Sequence, residues 1–574
     1  MYRLLDSYRR YLTNYHSVLA YAILGLIGGL ASGLVVLAFE KSVSELAWLW
    51  GVYHEGDGFE TLPWWQLFAL PAGGALLLGC GFWMLKPENR ETGVVHVLSR
   101  MHSDYGVLPL RNALVQFAGG AFALATGQSG GREGPDVHLG AAANSLLGQR
   151  LQLPHNSLRV LIACGAAGGI AAAFNTPLAG VIFAMEVIVA EYTVVGFIPV
   201  MLAAVSASAI SRYLGGGSLL FTIPKVELHS LLELPYIVLL GVACGLAVTL
   251  FIQLSQMTAR LSRWPVVIRF TLAGCLTGGL ALLVPEVLGI GYDTLDRVLR
   301  EGLPLQLLAT LAFCKLLATS VSCGMGMPIG LIGPNLLIGA CIGGAFGLLG
   351  NLHSPIPLST QTLYIALGMA ACMGAVLNAP LAAVLAVIEL TQSASVAMPA
   401  LLAIITANLI NNGLFHHRAA HQVVLRQMRR TVPDDPLNQL LHRTDVTSSM
   451  EVSVFKLPVQ LEPSRIPMLL NATPAWCLIT RDGEDLFLLR GSELADYLGD
   501  LEPPEEPINL SDLDLRRWSI APVPVQATLR QAMDRLTERT VEAVCVYGRN
   551  AGGNRILQGI VTRESIERFT LSNL

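Results

Sequence analysis

The chain has 574 residues, of which 53% are hydrophobic and 14% are charged, and its formal net charge is −4. Soluble proteins carry about a quarter charged residues, so this composition excludes an ordinary soluble protein. No Lys/Arg-rich tract indicates nucleic-acid binding. The ten cysteines stand singly, without a CxxC pair, and we interpret them as small buried hydrophobic residues.

Long hydrophobic windows begin near the N-terminus. Residues 17–39, 65–85 and 269–291 are almost free of charge, and each window is long enough to cross a hydrocarbon core of about 30 Å as a helix. The first window is too long for the hydrophobic region of a signal peptide and lacks a small-residue cleavage site, so we expect it to be retained. The sequence predicts a polytopic α-helical membrane protein.

Basic residues flank the hydrophobic part on both sides. They are Arg3, Arg9 and Arg10 before it, and Arg418, Arg426, Arg429 and Arg430 after it. Because Lys and Arg are enriched in cytoplasmic loops, we expect both termini to be cytoplasmic. That orientation requires an even number of full crossings.

Two Gly-Pro elements interrupt the hydrophobic segments, "GREGP" at residues 131–135 and "GLIGP" at residues 330–334. Glycine tolerates unusual dihedrals and proline fits the first turn of a helix, so each element predicts an unwound stretch followed by a helix start. At membrane depth such backbone needs surrounding protein or a water-filled cavity. Unpaired N–H groups at a helix start suit an anion. We therefore predict an anion path, with simple helix packing through glycine as the alternative.

The membrane part contains an internal repeat. "GAAGGIAAAFNTPLAGVIFAME" at residues 165–186 aligns without a gap with "GMAACMGAVLNAPLAAVLAVIE" at residues 368–389, an offset of 203. "GREGPDVHLGAA" aligns with "GLIGPNLLIGAC" at an offset of 199. Two matches in the same order at nearly equal offsets predict two homologous halves, an architecture in which transporters bind substrate between the halves. Residue identity leaves the relative orientation of the halves open.

The composition changes near residue 415, after which acidic residues, prolines and amphipathic segments are frequent. Residues 521–569 predict helix, strand, turn, strand and helix, with Leu529, Met533 and Leu536 on one face of the first helix. A looser copy of the unit starts near residue 450, without a clear long helix after its first strand. The pair resembles two cystathionine-β-synthase-type (CBS) modules.

These motifs, in this order, resemble the CLC family of chloride channels and chloride/proton antiporters. The resemblance implies an all-α polytopic membrane protein with two repeated halves and broken and re-entrant helices, followed by an α+β CBS-like domain. The implied domains are a cytoplasmic N-terminus at 1–16, a transmembrane domain at 17–425 (halves at about 17–215 and 235–425), a linker at 426–445, and CBS-like modules at 446–500 and 515–574.

The family's selectivity filter maps onto three elements of this chain. They are Glu91, Thr92, Gly93, Val94 and Val95; Gly131, Arg132, Glu133, Gly134 and Pro135; and Gly330, Leu331, Ile332, Gly333 and Pro334. The third element is usually G-x-F-x-P, so Ile332 replaces Phe. The first is usually GSGIP, so Thr92 replaces Ser and Val95 replaces Pro. Threonine keeps the hydroxyl and can cap the helix start that follows.

The resemblance also implies roles for these residues. The Thr92 hydroxyl and the N–H groups of Leu331 and Ile332 would bind a central chloride, and the N–H groups around Arg132–Gly134 would serve a more external position. Glu133 would be the gating glutamate, whose carboxylate occupies an anion position when ionised and leaves when protonated or displaced. Arg132 favours anions or pairs with an acid.

The family places a tyrosine hydroxyl at the inner end of the site, and no tyrosine stands there in this chain. The pattern "HQVVL" puts His421 at that place, where a neutral histidine could donate one hydrogen bond. Ala420 is the competing assignment, and a solvated loop histidine is the other interpretation.

The chain also departs from the family pattern at a position that is linked to proton transport. Many antiporters of the family carry two successive acids after "NxPLAG", whereas this chain has Glu186 followed by Val187, which cannot relay a proton. Glu191 is a candidate substitute, although a charge at the lipid interface is the favoured interpretation. Glu389, the repeat partner of Glu186, is expected to be structural. Antiport is favoured, and a passive voltage- or pH-gated channel stays open.

Other function classes fit less well. A phosphate-using membrane enzyme would need G-x-x-x-x-G-K-[ST] or a cluster of acidic metal ligands, and neither is present. A membrane-anchored sensor would act through its CBS-like tail, where an adenine nucleotide could bind, although no residues for it can be named. Pro135 favours chloride over fluoride. We expect no cofactor and no metal, chloride and protons as substrates, and a homodimer in a bacterial-type inner (plasma) membrane.

Overall fold

The computed structural model describes residues 18–52, 58–104, 106–190, 194–215, 227–353, 359–417, 419–427, 440–441, 444–500, 506–538, 540–549 and 555–573. Most of the flanking arginines used for orientation, and most of the predicted linker, lie outside these residues. The described chain divides into two compact units. The first, called here the membrane unit, takes residues 16–151 and 158–432, and the second, the C-terminal unit, is built mainly from residues 433–574.

The membrane unit is helical throughout its described residues. Its helices are α1 (Val18–Trp48), α2 (Trp64–Met84), α3 (Gly93–Ser103), α4 (Leu110–Ala125), α5 (Glu133–Arg150), α6 (His155–Phe174), α7 (Pro177–Phe183), α8 (Val194–Leu214), α9 (Leu234–Ala259), α10 (Val266–Ala281), α11 (Tyr292–Arg300), α12 (Leu305–Gly324), α13 (Ile332–His353), α14 (Gln361–Leu377), α15 (Pro380–Thr391), α16 (Ala397–Asn408) and α17 (Ala420–Gln427). A π-helical turn, Ala184–Val189, continues α7.

Among the described residues, eight helices are long and apolar enough to cross a membrane. They include α1 and α2, which confirms two of the predicted windows. The third window was wrong as a single span: α10 ends at Ala281, and a short 3-10 turn follows at Pro285–Val287. The residue before a proline is disfavoured in helical geometry, and Val284 is extended, with φ −139° and ψ 93°.

Glycines at equivalent positions of the two repeats bring neighbouring helices into close contact. Gly140 on α5 faces Gly165 on α6, and Gly339 on α13 faces Gly368 on α14. A side chain on any of the four would meet the backbone of the facing helix. Small residues permit this approach and allow dispersion contacts along the helix pair. These four glycines serve helix packing and lie outside the Gly-Pro elements, for which packing was the alternative interpretation.

The C-terminal unit consists of two modules with the same strand arrangement. Its elements are β1 (Val454–Pro458), β2 (Gln460–Leu461), α18 (Ile466–Ala472), β3 (Trp476–Arg481), β4 (Glu484–Arg490), α19 (Gly491–Gly499), β5 (Ile508–Asn509), β6 (Ile520–Pro524), α20 (Leu529–Leu536), β7 (Ala543–Arg549), β8 (Arg555–Thr562) and α21 (Arg563–Asn573).

In each module the first strand pairs parallel with the second, and the second pairs antiparallel with the third. The orders are β1-β3-β4 and β6-β7-β8. Leu529 and Leu536 are buried and Met533 packs beside them, as the amphipathic pattern predicted. The first module has only the seven-residue α18 after its first strands, so the looser sequence pattern reflects a shorter helix. Trp476 and Leu488 pack against Cys545 and Ile560, which joins the two sheets in one apolar core.

Candidate anion site

The two Gly-Pro elements are joined directly through their backbones. The Gly131 N–H donates to the Gly330 carbonyl at 2.7 Å, and the Gly330 N–H donates to the Gly131 carbonyl at 2.6 Å, an antiparallel bridge between equivalent residues. An equivalent pair that exchanges identical bonds lies across a local two-fold axis. The bridge therefore brings the homologous segments of the two halves to one place, in opposite chain directions.

A helix begins immediately after each glycine of the bridge. α5 starts at Glu133 and α13 at Ile332, so Pro135 and Pro334 both fall in the first turn, where proline removes no hydrogen bond. Side chains cannot be added to the frame: a Cβ on Gly134 would lie 2.8 Å from the Gly330 Cα. The predicted sequence of break and helix start is present in both halves.

Glu133 is fully buried and its carboxylate lies at the start of α13. Oε2 accepts a hydrogen bond from the Gly333 N–H at 3.2 Å, and Oε1 accepts one from the Tyr292 hydroxyl. Helix starts carry partial positive charge and unpaired N–H donors, which stabilise a negative group. The glutamate of the first half thus occupies an anion position on the helix of the second half.

Tyr292 was not identified from the sequence. It is the first residue of α11, preceded by Gly291 in a left-handed conformation with φ +88°. The signal available was "GIGY", two glycines before an aromatic residue at the end of a hydrophobic window. Because this segment lies outside the two aligned stretches of the repeat and matches no filter motif, its position beside Glu133 was not identified from the sequence.

Arg132, which precedes α5, pairs with an acid, one of the two predicted outcomes. Its Nη2 lies 3.3 Å from Oε1 of Glu40 on α1 and donates to the Ala173 carbonyl at 3.1 Å. The guanidinium also lies 5.3 Å from the centre of the Tyr292 ring. The guanidinium is therefore held by the Glu40 carboxylate, the Ala173 carbonyl and the Tyr292 ring. Its positive charge lies close to the Glu133 site.

The first filter element lies at the start of α3. Thr92 is the N-cap residue with an extended backbone, φ −142°, yet its side chain makes no capping hydrogen bond, so the predicted cap is wrong. Gly93 is left-handed, with φ +73°, and its N–H donates at 2.6 Å to Oε1 of Gln116 on α4. The acceptor for the Gly93 N–H is thus a side chain of another helix, and the Thr92 hydroxyl does not cap α3.

Gln116 is a second residue that the sequence did not identify. Its Oε1 accepts from Gly93, and its Nε2 donates to the Pro328 carbonyl at 3.0 Å, two residues before "GLIGP". The side chain is fully buried. One amide therefore ties the first filter element to the third. Beside it, Nδ2 of Asn112 donates to the Glu91 carbonyl at 3.0 Å and fixes the chain before Thr92.

The remaining filter residues take these positions. Val94 is buried and Val95 is half-buried in the first turn of α3, while Leu331 directly precedes α13 and is half-buried beneath it. Ile332 is 1% exposed and belongs to the apolar core of the membrane unit. An isoleucine in place of the family's phenylalanine is thus accommodated by ordinary packing.

His421 lies on α17, which packs against α3, the helix that Thr92 precedes. It is 5% exposed, so a solvated loop histidine is excluded. Burial lowers the pKa of His421 to about 4, which makes the side chain neutral at physiological pH. Its Nδ1 has no hydrogen-bond partner among the described residues. Ala420, the competing assignment, is buried beside it.

Glu186 and Glu389 each accept hydrogen bonds at a helix start. The Glu389 carboxylate accepts hydrogen bonds from the N–H groups of Leu178 at 3.0 Å and Ala179 at 2.9 Å, at the start of α7. The Glu186 carboxylate does the same for α15. Glu389 therefore has the structural contact that was expected, and its side chain is half-buried at this helix start. Val187 is half-buried, and Glu191 lies outside the described residues.

Comparison with known proteins identifies the family. Residues 72–412 match the model of the family described as voltage gated chloride channel. The putative chloride channel protein ClcB-like of Ralstonia nicotianae is 34% identical over 72% of this chain and 97% of its own. The H(+)/Cl(-) exchange transporter ClcA of Vibrio cholerae is 29% identical over 74% and 93%, respectively.

A solved structure supports the fold. The slow cyanobacterial Cl-/H+ antiporter superposes with a TM-score of 0.62 at 22% identity, over 71% of this chain and 97% of that one. The predicted fold class is confirmed, and the described helices make the protein a multi-pass membrane protein. From the family match and the relatives together, the chain belongs to the voltage gated chloride channel (CLC) family.

Proposed function

We propose that this protein moves chloride across its membrane in exchange for protons, and that Glu133 gates the path. The observation that carries the proposal is the buried Glu133 carboxylate at the start of α13, where it accepts the Gly333 N–H. Relatives whose names state chloride channel or H(+)/Cl(-) exchange support the substrate.

The physical basis is competition between two anions for one set of donors. The backbone N–H groups at the start of α13 favour a negative group of either kind. An ionised Glu133 occupies the position and excludes chloride. When the carboxylate takes up a proton from solution it becomes neutral, its attraction to the helix start is lost, and chloride enters. When chloride leaves, the carboxyl group releases the proton and returns.

The central chloride would lie between the starts of α3 and α13. We assign its donors as the Thr92 hydroxyl and the N–H groups of Leu331 and Ile332, with neutral His421 as the innermost donor. The hydroxyl that makes no cap, the link through Gln116 and the packing of α17 on α3 support this assignment. No cofactor and no enzymatic reaction are part of the proposal.

A passive channel is the second candidate, and Val187 is the observation that favours it. A valine at this position cannot relay a proton inward. The neighbouring Glu186 carboxylate accepts two backbone hydrogen bonds at the start of α15. Antiport would therefore need another inner proton route. For either mechanism we propose a homodimer in a bacterial-type inner membrane, with both termini and the CBS-like unit in the cytoplasm.

The test is ion flux in liposomes with a chloride gradient and an opposing pH gradient. We expect wild type to move protons uphill as chloride runs down its gradient, and Glu133→Gln to move chloride without protons. Glu45→Gln, a change at an exposed residue of α1, is the matched control and should behave as wild type. Chloride flux without proton movement in wild type would establish the channel, and no anion flux would refute chloride transport.

A further inference from the structure

The Glu133 carboxylate has two donors of different origin. The Gly333 N–H belongs to the helix start, which is present in any conformation of the side chains. The Tyr292 hydroxyl belongs to a separate element, α11, and donates to the other carboxylate oxygen. Either donor could serve chloride or a carboxylate, and in the described structure both are taken by Glu133.

The segment that carries Tyr292 is held in place from two sides. Nζ of Lys315, a fully buried lysine on α12, donates to the carbonyls of Val287, Leu288 and Gly289 at 3.1, 3.3 and 2.9 Å. The Gly289 N–H donates to the Gly127 carbonyl, and the Gly130 N–H donates to the Gly289 carbonyl, each at 3.3 Å. The chain entering α11 is therefore fixed to the chain entering α5.

The tyrosine ring is also restrained. The Arg132 guanidinium lies 5.3 Å from the ring centre on one side, and the Phe174 ring lies at 6.2 Å with an interplanar angle of 56°. A cation over an aromatic face is attracted by the ring's quadrupole. The hydroxyl is thus presented to Glu133 by a fixed backbone and a clamped ring, so little conformational entropy is lost when the hydrogen bond forms.

The charged groups around Glu133 come from three elements. Arg132, before α5, is a cation that interacts with it, and Asp136 on α5 is a buried acid whose carboxylate interacts with both. Glu40 on α1 interacts with Arg132 and Asp136. The Arg132 guanidinium forms its ion pair with Glu40. The side-chain hydrogen bond to the Glu133 carboxylate comes instead from the neutral Tyr292 hydroxyl.

We propose that Tyr292 is the positioning residue of the gate: its hydroxyl holds the ionised Glu133 carboxylate at the start of α13 and thereby sets the pH at which chloride enters. The inference rests on the proposed function and adds a regulating residue to it. Since the hydroxyl stabilises the ionised, docked carboxylate more than the neutral carboxyl group, its removal makes protonation and opening easier, and the path opens at higher pH.

The experiment is chloride efflux from liposomes between about pH 4.5 and 8, comparing wild type with Tyr292→Phe. A hydrogen bond to a charged group contributes enough to shift the midpoint of acid activation upward by about one pH unit, with faster efflux at neutral pH. Tyr364→Phe is the matched control, because the Tyr364 hydroxyl also donates to a buried glutamate, Glu233, at 2.7 Å. It should leave the midpoint unchanged.

A double variant isolates the contact. In the Glu133→Gln background, where no carboxylate titrates at this position, Tyr292→Phe should not change the pH profile. If Tyr292→Phe does not fold, as judged by gel filtration, 3-fluorotyrosine incorporated at position 292 replaces it: the more acidic hydroxyl is a stronger donor, and the midpoint should move downward.

The outcomes separate the two proposals. An unchanged midpoint in a wild-type background with pH-dependent chloride flux overturns the role of Tyr292 and leaves chloride transport intact. An equal shift in Tyr364→Phe, or a shift that persists in Glu133→Gln, also overturns it. Wild type that moves no chloride refutes the proposed function itself, and chloride flux that does not respond to pH refutes both the gate and its positioning residue.

Discussion

Glu186 and Glu389 occupy equivalent positions of the two halves, and each caps the helix that leads to the other. The Glu389 carboxylate accepts from the start of α7, and the Glu186 carboxylate accepts from Leu381 at 3.2 Å and Ala382 at 2.9 Å at the start of α15. Two N–H groups at the start of each helix, which have no partner within the helix, are thus hydrogen-bonded by one glutamate side chain. The exchange gives both residues a structural purpose that is independent of proton transport.

Removing one of these caps should lower stability. Loss of a capping side chain costs about 1–2 kcal/mol, because N–H groups at a helix start are left without acceptors. We therefore expect Glu389→Ala to unfold at a lower temperature than wild type in detergent, by a few degrees. Exposed Glu45→Ala on α1 is the control. Equal melting temperatures for the three proteins would contradict the capping role.

The link through Gln116 should be essential for the anion site. Gln116→Leu removes the acceptor of the Gly93 N–H and the donor to the Pro328 carbonyl, and each buried group left unsatisfied costs about 1–3 kcal/mol. We expect chloride flux to fall at least tenfold, together with a loss of thermal stability. Gln149→Leu, which removes the donor to the Leu108 carbonyl and the Ser145 hydroxyl, is the comparison. Wild-type flux in Gln116→Leu would show that the link is dispensable.

Close helix packing at Gly165 gives a third prediction. A methyl group there would meet the Gly140 carbonyl on the facing helix, and overpacking of this kind costs about 1–3 kcal/mol. Gly165→Ala should therefore reduce both the yield of folded protein and its melting temperature. Gly279→Ala on α10 has nothing within 4 Å of the added methyl and should be neutral or slightly stabilising. The idea fails if the two variants are indistinguishable.

The C-terminal unit should lose stability as the pH rises from about 4 to 6. Burial raises the pKa of Asp445 from 3.8 to about 6. A carboxyl group with a folded-state pKa above its unfolded value contributes most below the unfolded value and loses that contribution as the pH rises through the folded value. Two pKa units correspond to at most about 3 kcal/mol.

Asp445→Asn tests this pH dependence, because the amide oxygen keeps the acceptor for the Thr447 N–H and carries no charge. We expect hydrogen exchange of residues 520–562 in the full-length protein to be slower than in wild type at pH 7 and equal at pH 4. Asp512→Asn, at an exposed aspartate, should have no such effect. Exchange in Asp445→Asn that matches wild type at both pH values would contradict the prediction.

The sequence predicted those parts of the fold that depend on local chemistry or on repetition. Pro135 and Pro334 indicated helix starts because proline fits the first turn without loss of a hydrogen bond, and the 203-residue offset predicted that Glu186 and Glu389 are equivalent. The amphipathic spacing of Leu529 and Leu536 placed α20 correctly.

The residues that were missed depend on tertiary proximity. Tyr292 and Gln116 lie outside the two stretches in which the repeat was recognised, and each acts on a residue far along the chain: Tyr292 on Glu133, and Gln116 on Pro328. The expected cap by Thr92 failed for the same reason, since Gln116 on another helix provides the acceptor for Gly93. Hydropathy alone also extended the window at 269–291 past the end of α10 at Ala281.

The Gly131–Gly330 bridge has a consequence for biosynthesis. The partner of Gly131 lies 199 residues further along the chain, and at roughly 5–20 residues per second it is made about 10–40 seconds later. During that interval the Glu133 carboxylate has neither the Gly333 N–H nor the Tyr292 hydroxyl. A nascent first half therefore holds the Glu133 carboxylate without these two hydrogen-bond donors, and both arrive only when the second half is made.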